Sequence, residues 1–231
     1  MARIYDCSTD SELLTGMRLA RAALGRGELV VIPTDTVYGV AADAFNPAAV
    51  QRLLDAKGRG RQSPPPVLIP GIPTLDALAE TVPDPVRRLV EEFWPGGLTV
   101  VLDAQPSLAW DLGETHGTVA LRMPDHRVAL ELLAETGPLA VSSANLTGMA
   151  PARTAAQAHE MLGESVTVYL EAGEPAAPVS GGGHGASTII DATRVAEGGP
   201  LQILRQGVIE RAELVRVAGQ DLLPPESGSL P

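Results

Sequence analysis

Apolar residues recur along this chain with two periods, one helical and one strand-like. Leu13, Met17, Ala20 and Leu24 share a helical face; Thr9-x-x-Glu12 has capping-box spacing before them, and Gly25 and Gly27 stop the run. Leu29–Ile32 is a short continuous apolar stretch broken by Pro33, which predicts a buried strand. Asn46-Pro47 then opens a second helix with a cap residue and Pro at its first position; Val50, Leu53 and Leu54 form its apolar face and Gly58 ends it. That spacing puts Lys57 in the last turn, directed outward. Asp84-Pro85 starts a helix through about Phe93, and Pro95-Gly96-Gly97 turns into a strand over Leu98–Leu102. A strand over Thr118–Met123 precedes a helix capped by Asp125, carrying Val128, Leu132 and Leu133 and ending at Gly137. Leu139–Ser142, Val166–Leu170, Ser187–Asp191 and Leu201–Leu204 are further strands, and Thr154–Leu162 and Glu210–Val217 further helices. Some strands follow each other directly and others alternate with helices. This predicts one α/β domain over residues 1–218, built on a mixed, twisted sheet with flanking helices. Gly219–Pro231, rich in Pro, Ser and Gly, reads as a mobile tail.

Composition changes this picture in three respects. With only two Trp, three Tyr and two Phe in 231 residues, the core must come from Ala, Val, Leu and Ile, and a chain of this length buries such a core without disulfide or structural metal. The net charge of −11 argues against a protein that grips nucleic acid through a broad basic face, while leaving room for a small basic pocket. Within the basic set the balance is uneven, Lys57 being the one lysine among 17 Lys and Arg residues. The single cysteine, Cys7, forms no internal disulfide and has no neighbouring His in sequence to activate it. No apolar segment has the form of a signal peptide or the length of a membrane span, so a cytoplasmic location is expected.

The usual nucleotide signatures GxxxxGK[ST] and GxGxxG are missing, as are HExxH and GxSxG. Four other stretches carry candidate chemistry. Pro33-Thr34-Asp35-Thr36-Val37-Tyr38-Gly39 places small polar side chains at the carboxyl end of a strand, the edge where α/β sheets bind ligands; an Asx-type turn holding its own loop is the alternative. Lys57-Gly58-Arg59-Gly60-Arg61-Gln62-Ser63-Pro64 sets three cations within five residues at a helix end, a phosphate-binding arrangement of which dipole compensation explains only one charge. Ser142-Ser143-Ala144-Asn145-Leu146-Thr147-Gly148 follows a strand with hydroxyls and an amide, fitting a polar ligand or a polar turn equally well. Gly181-Gly182-Gly183-His184-Gly185 leads into Ser187, Thr188 and Asp191, as a lid able to close over a site or as a plain linker.

In this order, PTDTVYG, KGRGR, PGGLT, TVALRMPDH, SSANLTG, STIID and ILRQG resemble the YrdC-like threonylcarbamoyl-AMP synthases, from about Gly27 to Gly207. The resemblance implies a YrdC-like/RibB-like α/β fold, a twisted mixed sheet around a large open cavity. It further implies synthesis of L-threonylcarbamoyl-AMP from L-threonine, bicarbonate and ATP, with release of pyrophosphate, for threonylcarbamoylation of a tRNA adenosine beside the anticodon. By carry-over, Lys57 and Arg59 are the catalytic cations. Lys57, Arg59, Ser63, Thr118, Ser142, Asn145 and Arg205 hold ATP, and Thr36, Arg122, Ser143 and Ser187 hold threonine, Arg122 through the substrate carboxylate. Mg²⁺ would arrive on the triphosphate, with no dedicated protein ligands. The implied partner is the downstream tRNA-threonylcarbamoyl transferase complex, with weak or no direct tRNA binding and no membrane.

The chain departs from the family pattern in three places. Val67-Leu68 stands where many relatives have Val-His, Gly97 replaces the second Pro of a PGP turn, and the loop between Asp191 and Leu201 is longer. Two rival readings share some of these features. One is an RNA-binding module, against which the negative charge and the lack of interleaved aromatics argue. The other is a carbamoyl-transfer domain of the hydrogenase-maturation type, which sits in much larger chains.

Overall fold

The computed structural model describes residues 2–175 and 185–223. Ten strands form one mixed sheet: β1 (Arg3–Asp6), β2 (Val30–Ile32), β3 (Gly39–Asp43), β4 (Val67–Leu68), β5 (Leu98–Asp103), β6 (Thr118–Arg122), β7 (Leu139–Ser143), β8 (Val168–Glu171), β9 (Thr188–Asp191) and β10 (Gln202–Arg205). Their spatial order is β1-β8-β2-β3-β7-β4-β6-β5-β9-β10. Parallel pairs (β1 with β8, β2 with β8, β4 with β6, β5 with β9) and antiparallel pairs mix along it. The helices are α1 (Asp10–Gly25), α2 (Pro47–Ala56), α3 (Ile72–Leu78), α4 (Asp84–Phe93), α5 (Arg127–Thr136), α6 (Ala155–Leu162) and α7 (Arg211–Ala218).

At the β1–β3 side the sheet is covered on both faces. Leu13, Ala20 and Leu24 of α1 and Leu132 and Leu133 of α5 pack on Val30, Ile32 and Leu170. On the opposite face, Leu53 and Leu54 of α2 and Ala158 and Leu162 of α6 pack on Val31, Val40 and Tyr169. Toward β5, β6 and β9 the strands divide by alternation. Leu98, Val100, Leu102, Val119, Leu121 and Ile190 face a core built with α3, α4 and α7. The residues between them face a cavity.

Sequence and structure part at several ends. The Thr9–Glu12 capping box is not formed: Thr9 makes no side-chain cap bond, and the Glu12 carboxylate accepts from the Asp6 amide at 2.9 Å instead. The cap position of α5 is His126 and not Asp125, whose amide donates to Asp35 Oδ1 at 3.0 Å. The cap of α2 is as expected, Asn46 Oδ1 accepting from the Ala48 and Ala49 amides. Residues 219–223, taken as the start of a tail, fold back: Leu223 is buried, and the Leu222 carbonyl accepts from the Leu201 amide. The rest of that tail, 224–231, and Gly181–His184 of the glycine loop lie outside the described residues. Among the described residues no helix is long and apolar enough to cross a membrane.

Candidate active site

The cavity floor is the uncovered sheet face. It carries Thr99 and Val101 of β5, Thr118, Ala120 and Arg122 of β6, and Ile189 of β9 with Ser187 just before it. Loops at the strand ends form the walls: Thr34, Thr36 and Val37 between β2 and β3; Arg59 and Pro64–Pro66 ahead of β4; Leu112 and Thr115 before β6; Ser142 and Ser143 at the end of β7. The enclosed volume is about 420 Å³, in the range of small-molecule sites. Gly39 is needed where the wall turns, since a Cβ there would lie 2.5 Å from Val141 Cγ1.

Three guanidinium groups enter this space. Arg122, 6% exposed, donates from Nε to the Gly96 carbonyl at 2.9 Å, from Nη1 to Thr36 Oγ1 at 2.9 Å and from Nη2 to Asp35 Oδ1 at 2.6 Å. Two of its five N–H groups remain, one on each terminal nitrogen. Arg205 donates from Nε and Nη2 to the Ser187 carbonyl, and from Nη2 to Ser187 Oγ at 2.9 Å. Arg59 Nη1 reaches Ser142 Oγ at 3.3 Å. Burial makes all three harder to keep charged; Arg122 and Arg59 add to the effect at Arg205, while Asp35 opposes it at Arg122. No Asp or Glu lines the cavity among the described residues, so only Asp35, behind Arg122, offsets the group. Clustered guanidinium groups without matching carboxylates, in a chain of net charge −11, constitute an anion site. Ser187 Oγ accepts from both Arg205 and Thr99 Oγ1, which leaves its own proton to donate.

Of the residues singled out in the sequence, Thr36, Arg59, Thr118, Arg122, Ser142, Ser143, Ser187 and Arg205 line this one cavity. Lys57, Ser63 and Asn145 do not. Lys57 does not project outward as the helix pattern suggested: it is 1% exposed, and its Nζ donates to the backbone carbonyls of Ser143 and Asn145. Arg61, the third cation of its cluster, is engaged by Asp111 at 2.7 Å. The Asn145 amide nitrogen donates to the carbonyls of Leu146 and Met149, while its Oδ1 is buried without a partner. Ser63 lies in a turn with its amide on the Gly60 carbonyl. Leu68, in the place of the usual His, faces the cavity as the register neighbour of Arg122.

Asp35, Tyr38 and Thr99, which lie within PTDTVYG and PGGLT, make contacts that sequence reasoning did not assign to them individually. Tyr38 is wholly buried; its hydroxyl meets Glu171 Oε1 at 2.6 Å and accepts from the Ala172 amide, while its carbonyl accepts from the Ala144 amide within SSANLTG and its amide donates to the Ala152 carbonyl beyond it. For Thr99 a signal was available, because it alternates with Leu98 and Val100 on a strand whose other face is apolar. No group of three or more His, Cys, Asp or Glu side chains that could hold a metal ion occurs among the described residues.

Fold and cavity together define a YrdC-like α/β protein with an arginine-lined pocket. Residues 22–207 match the Sua5/YciO/YrdC family model, described as "Telomere recombination", and the chain belongs to this family. It is 49% identical over 219 residues to a Mycobacterium leprae protein provisionally named threonylcarbamoyl-AMP synthase, covering 95% of both chains. It is 37% identical to the Bacillus subtilis threonylcarbamoyl-AMP synthase, covering 87% of this chain and 56% of that one. Among solved structures it resembles Pyrococcus abyssi Sua5 complexed with L-threonine, with a TM-score of 0.82 and 30% identity; it covers 95% of this chain and spans 61% of that one. Escherichia coli YciO, at a TM-score of 0.78 and 20% identity over 93% of this chain and all of that one, shares the fold.

Proposed function

We propose that this protein makes L-threonylcarbamoyl-AMP from L-threonine, bicarbonate and ATP in the arginine-lined cavity, releasing pyrophosphate. The observation that carries the reading is the gathering of three guanidinium groups and eight hydroxyl side chains, drawn from segments far apart in sequence, around one space without carboxylates. The relatives' names and the threonine complex of Sua5 support the choice of substrates.

In this scheme the two remaining N–H groups of Arg122 take the threonine carboxylate, with Thr36 alongside. The threonine amine captures bicarbonate, losing water, to give an N-carboxylate. This carboxylate then attacks the α-phosphorus of ATP, and pyrophosphate departs in line. Arg59 and Arg205 face the phosphates, where fixed cations stabilise the charge that spreads in the transition state. Ser142 and Thr118 hold the rest of the nucleotide, and Ser143 and Ser187 border the shared space; the spare proton of Ser187 suits a phosphate or carboxylate oxygen. Ser63 and Asn145 belong to segments that supply wall residues and act from behind them. No protein nucleophile is needed. Mg²⁺ would be carried in on the triphosphate, and the product would pass to a tRNA-threonylcarbamoyl transferase complex in the cytoplasm.

The test supplies ATP, Mg²⁺ and bicarbonate with single amino acids and follows pyrophosphate release. Release that needs both threonine and bicarbonate supports the reading. Release with carbamoyl phosphate in their place would assign the cavity to carbamoyl transfer, and RNA binding without turnover would assign it to an RNA module.

A further inference from the structure

We propose that Lys57 is a positioning residue: its side chain fills an oxygen-lined niche behind the cavity wall and fixes the Ser142–Asn145 backbone, without touching substrate. The inference takes from the preceding section only the use of that wall as a substrate site.

The last residue of α2 is Ala56; Lys57 follows as the C-cap, and Gly58, at φ +60°, turns the chain away toward Arg59. The Lys57 side chain crosses to the loop after β7, where Nζ donates to the carbonyls of Ser143 and Asn145, the latter at 2.6 Å. Its own carbonyl accepts from the Thr147 amide at 3.0 Å. Backbone and side chain of one residue therefore grip three points along residues 143–147, directly after the end of β7, whose last residues, Ser142 and Ser143, line the cavity. Asn145 Oδ1 is buried in the same loop without a donor, so oxygen acceptors outnumber donors there. A buried cation is tolerated where such acceptors surround it.

Composition supports the same role. At every other basic position this chain uses arginine, including all three cations that face the cavity. Lysine appears only where the residue is 1% exposed and its head group must fit between two carbonyls. A compact ammonium with tetrahedrally disposed donors fits that niche, and a planar guanidinium does not. Two of the three ammonium N–H groups are already committed, and none lies on the cavity wall. Burial and the nearby Arg59, the one charged group that bears on it, push the amine down to about 8. A direct phosphate contact would push the other way.

Because Lys57 is the only lysine, protein labelled with ¹³C,¹⁵N-lysine gives one side-chain signal. The expected result in the empty protein is a head group whose protons exchange slowly with water. Its pKa should not rise when ATP or inorganic tripolyphosphate is added. Rapid exchange in the empty protein, or a rise of about one unit or more with either probe, would overturn the proposal. Lys57→Met provides a second reading: amide exchange at residues 143–147 should accelerate at least about tenfold, as expected when buried carbonyls lose their donor, while α2 keeps its protection. Unchanged exchange at 143–147 would overturn the proposal equally. None of these measurements requires turnover, so failure of the synthase reading and failure of this one are separable.

Discussion

Arg122→Lys isolates what the guanidinium contributes. The native side chain is anchored at Gly96, Thr36 and Asp35, and the charged pair with Asp35 is largely withdrawn from water, at 8% and 19% side-chain exposure. A lysine keeps the charge and can keep Asp35 company, so the fold should survive. It cannot hold Gly96 and Thr36 while also offering two N–H groups to a carboxylate. Losing one arm of a charge-assisted bidentate contact costs about 1.5–3 kcal/mol, or roughly a 10- to 150-fold rise in threonine KM. ATP KM should move less than about threefold, within the noise expected of a site that keeps Arg59 and Arg205. The assay is pyrophosphate release with each substrate varied in turn, alongside urea unfolding to confirm the fold. An unchanged threonine KM with a raised ATP KM would refute the assignment of Arg122 to the amino acid.

Three further predictions follow from named contacts. Gly39→Ala brings a Cβ to 2.5 Å from Val141 Cγ1 and should destabilise the protein by about 1–3 kcal/mol, read as a lower urea midpoint; an unchanged midpoint would show that the wall yields. Tyr38→Phe removes the hydroxyl shared with Glu171 and the Ala172 amide and should cost about 1–2 kcal/mol in the same assay, whereas no loss would mean water replaces it. For Lys57, held at about 8 against an ordinary 10.5, the unfolded chain carries the proton between these values and the folded chain does not. Its burial penalty is therefore complete below pH 8 and is relieved as pH rises toward 10.5, so wild type should gain stability relative to Lys57→Met across that window; a constant difference would contradict the shift.

Much of the fold was legible because the longer helices announce themselves twice, by periodicity and by a start signal. Asn46-Pro47 and Asp84-Pro85 both mark helix starts correctly. β3 was hidden, since Gly39-Val40-Ala41-Ala42 is buried on both faces and shows no alternation to set it apart from the polar loop before it. α3 begins at Gly71-Ile72-Pro73, where proline and glycine suggest a turn. Thr118 and Arg122 reach the cavity because β6 alternates, Thr118, Ala120 and Arg122 against Val119 and Leu121, while Thr36, Arg59 and Ser187 reach it from segments beside the strands. What could not be read was partnership over distance. Nothing local tells that Lys57 will meet carbonyls 86 and 88 residues away, or that Arg61 will turn to Asp111, 50 residues on.

The central claim is that one arginine-lined cavity joins threonine, bicarbonate and ATP. The most direct measurement incubates the protein with ATP, Mg²⁺, threonine and ¹³C-bicarbonate and analyses the nucleotides by mass spectrometry. The account predicts threonylcarbamoyl-AMP one mass unit heavier than with ordinary bicarbonate, formed in step with pyrophosphate and lost in Arg59→Ala. Pyrophosphate released without the labelled adenylate, or an adenylate lacking the label, would contradict it.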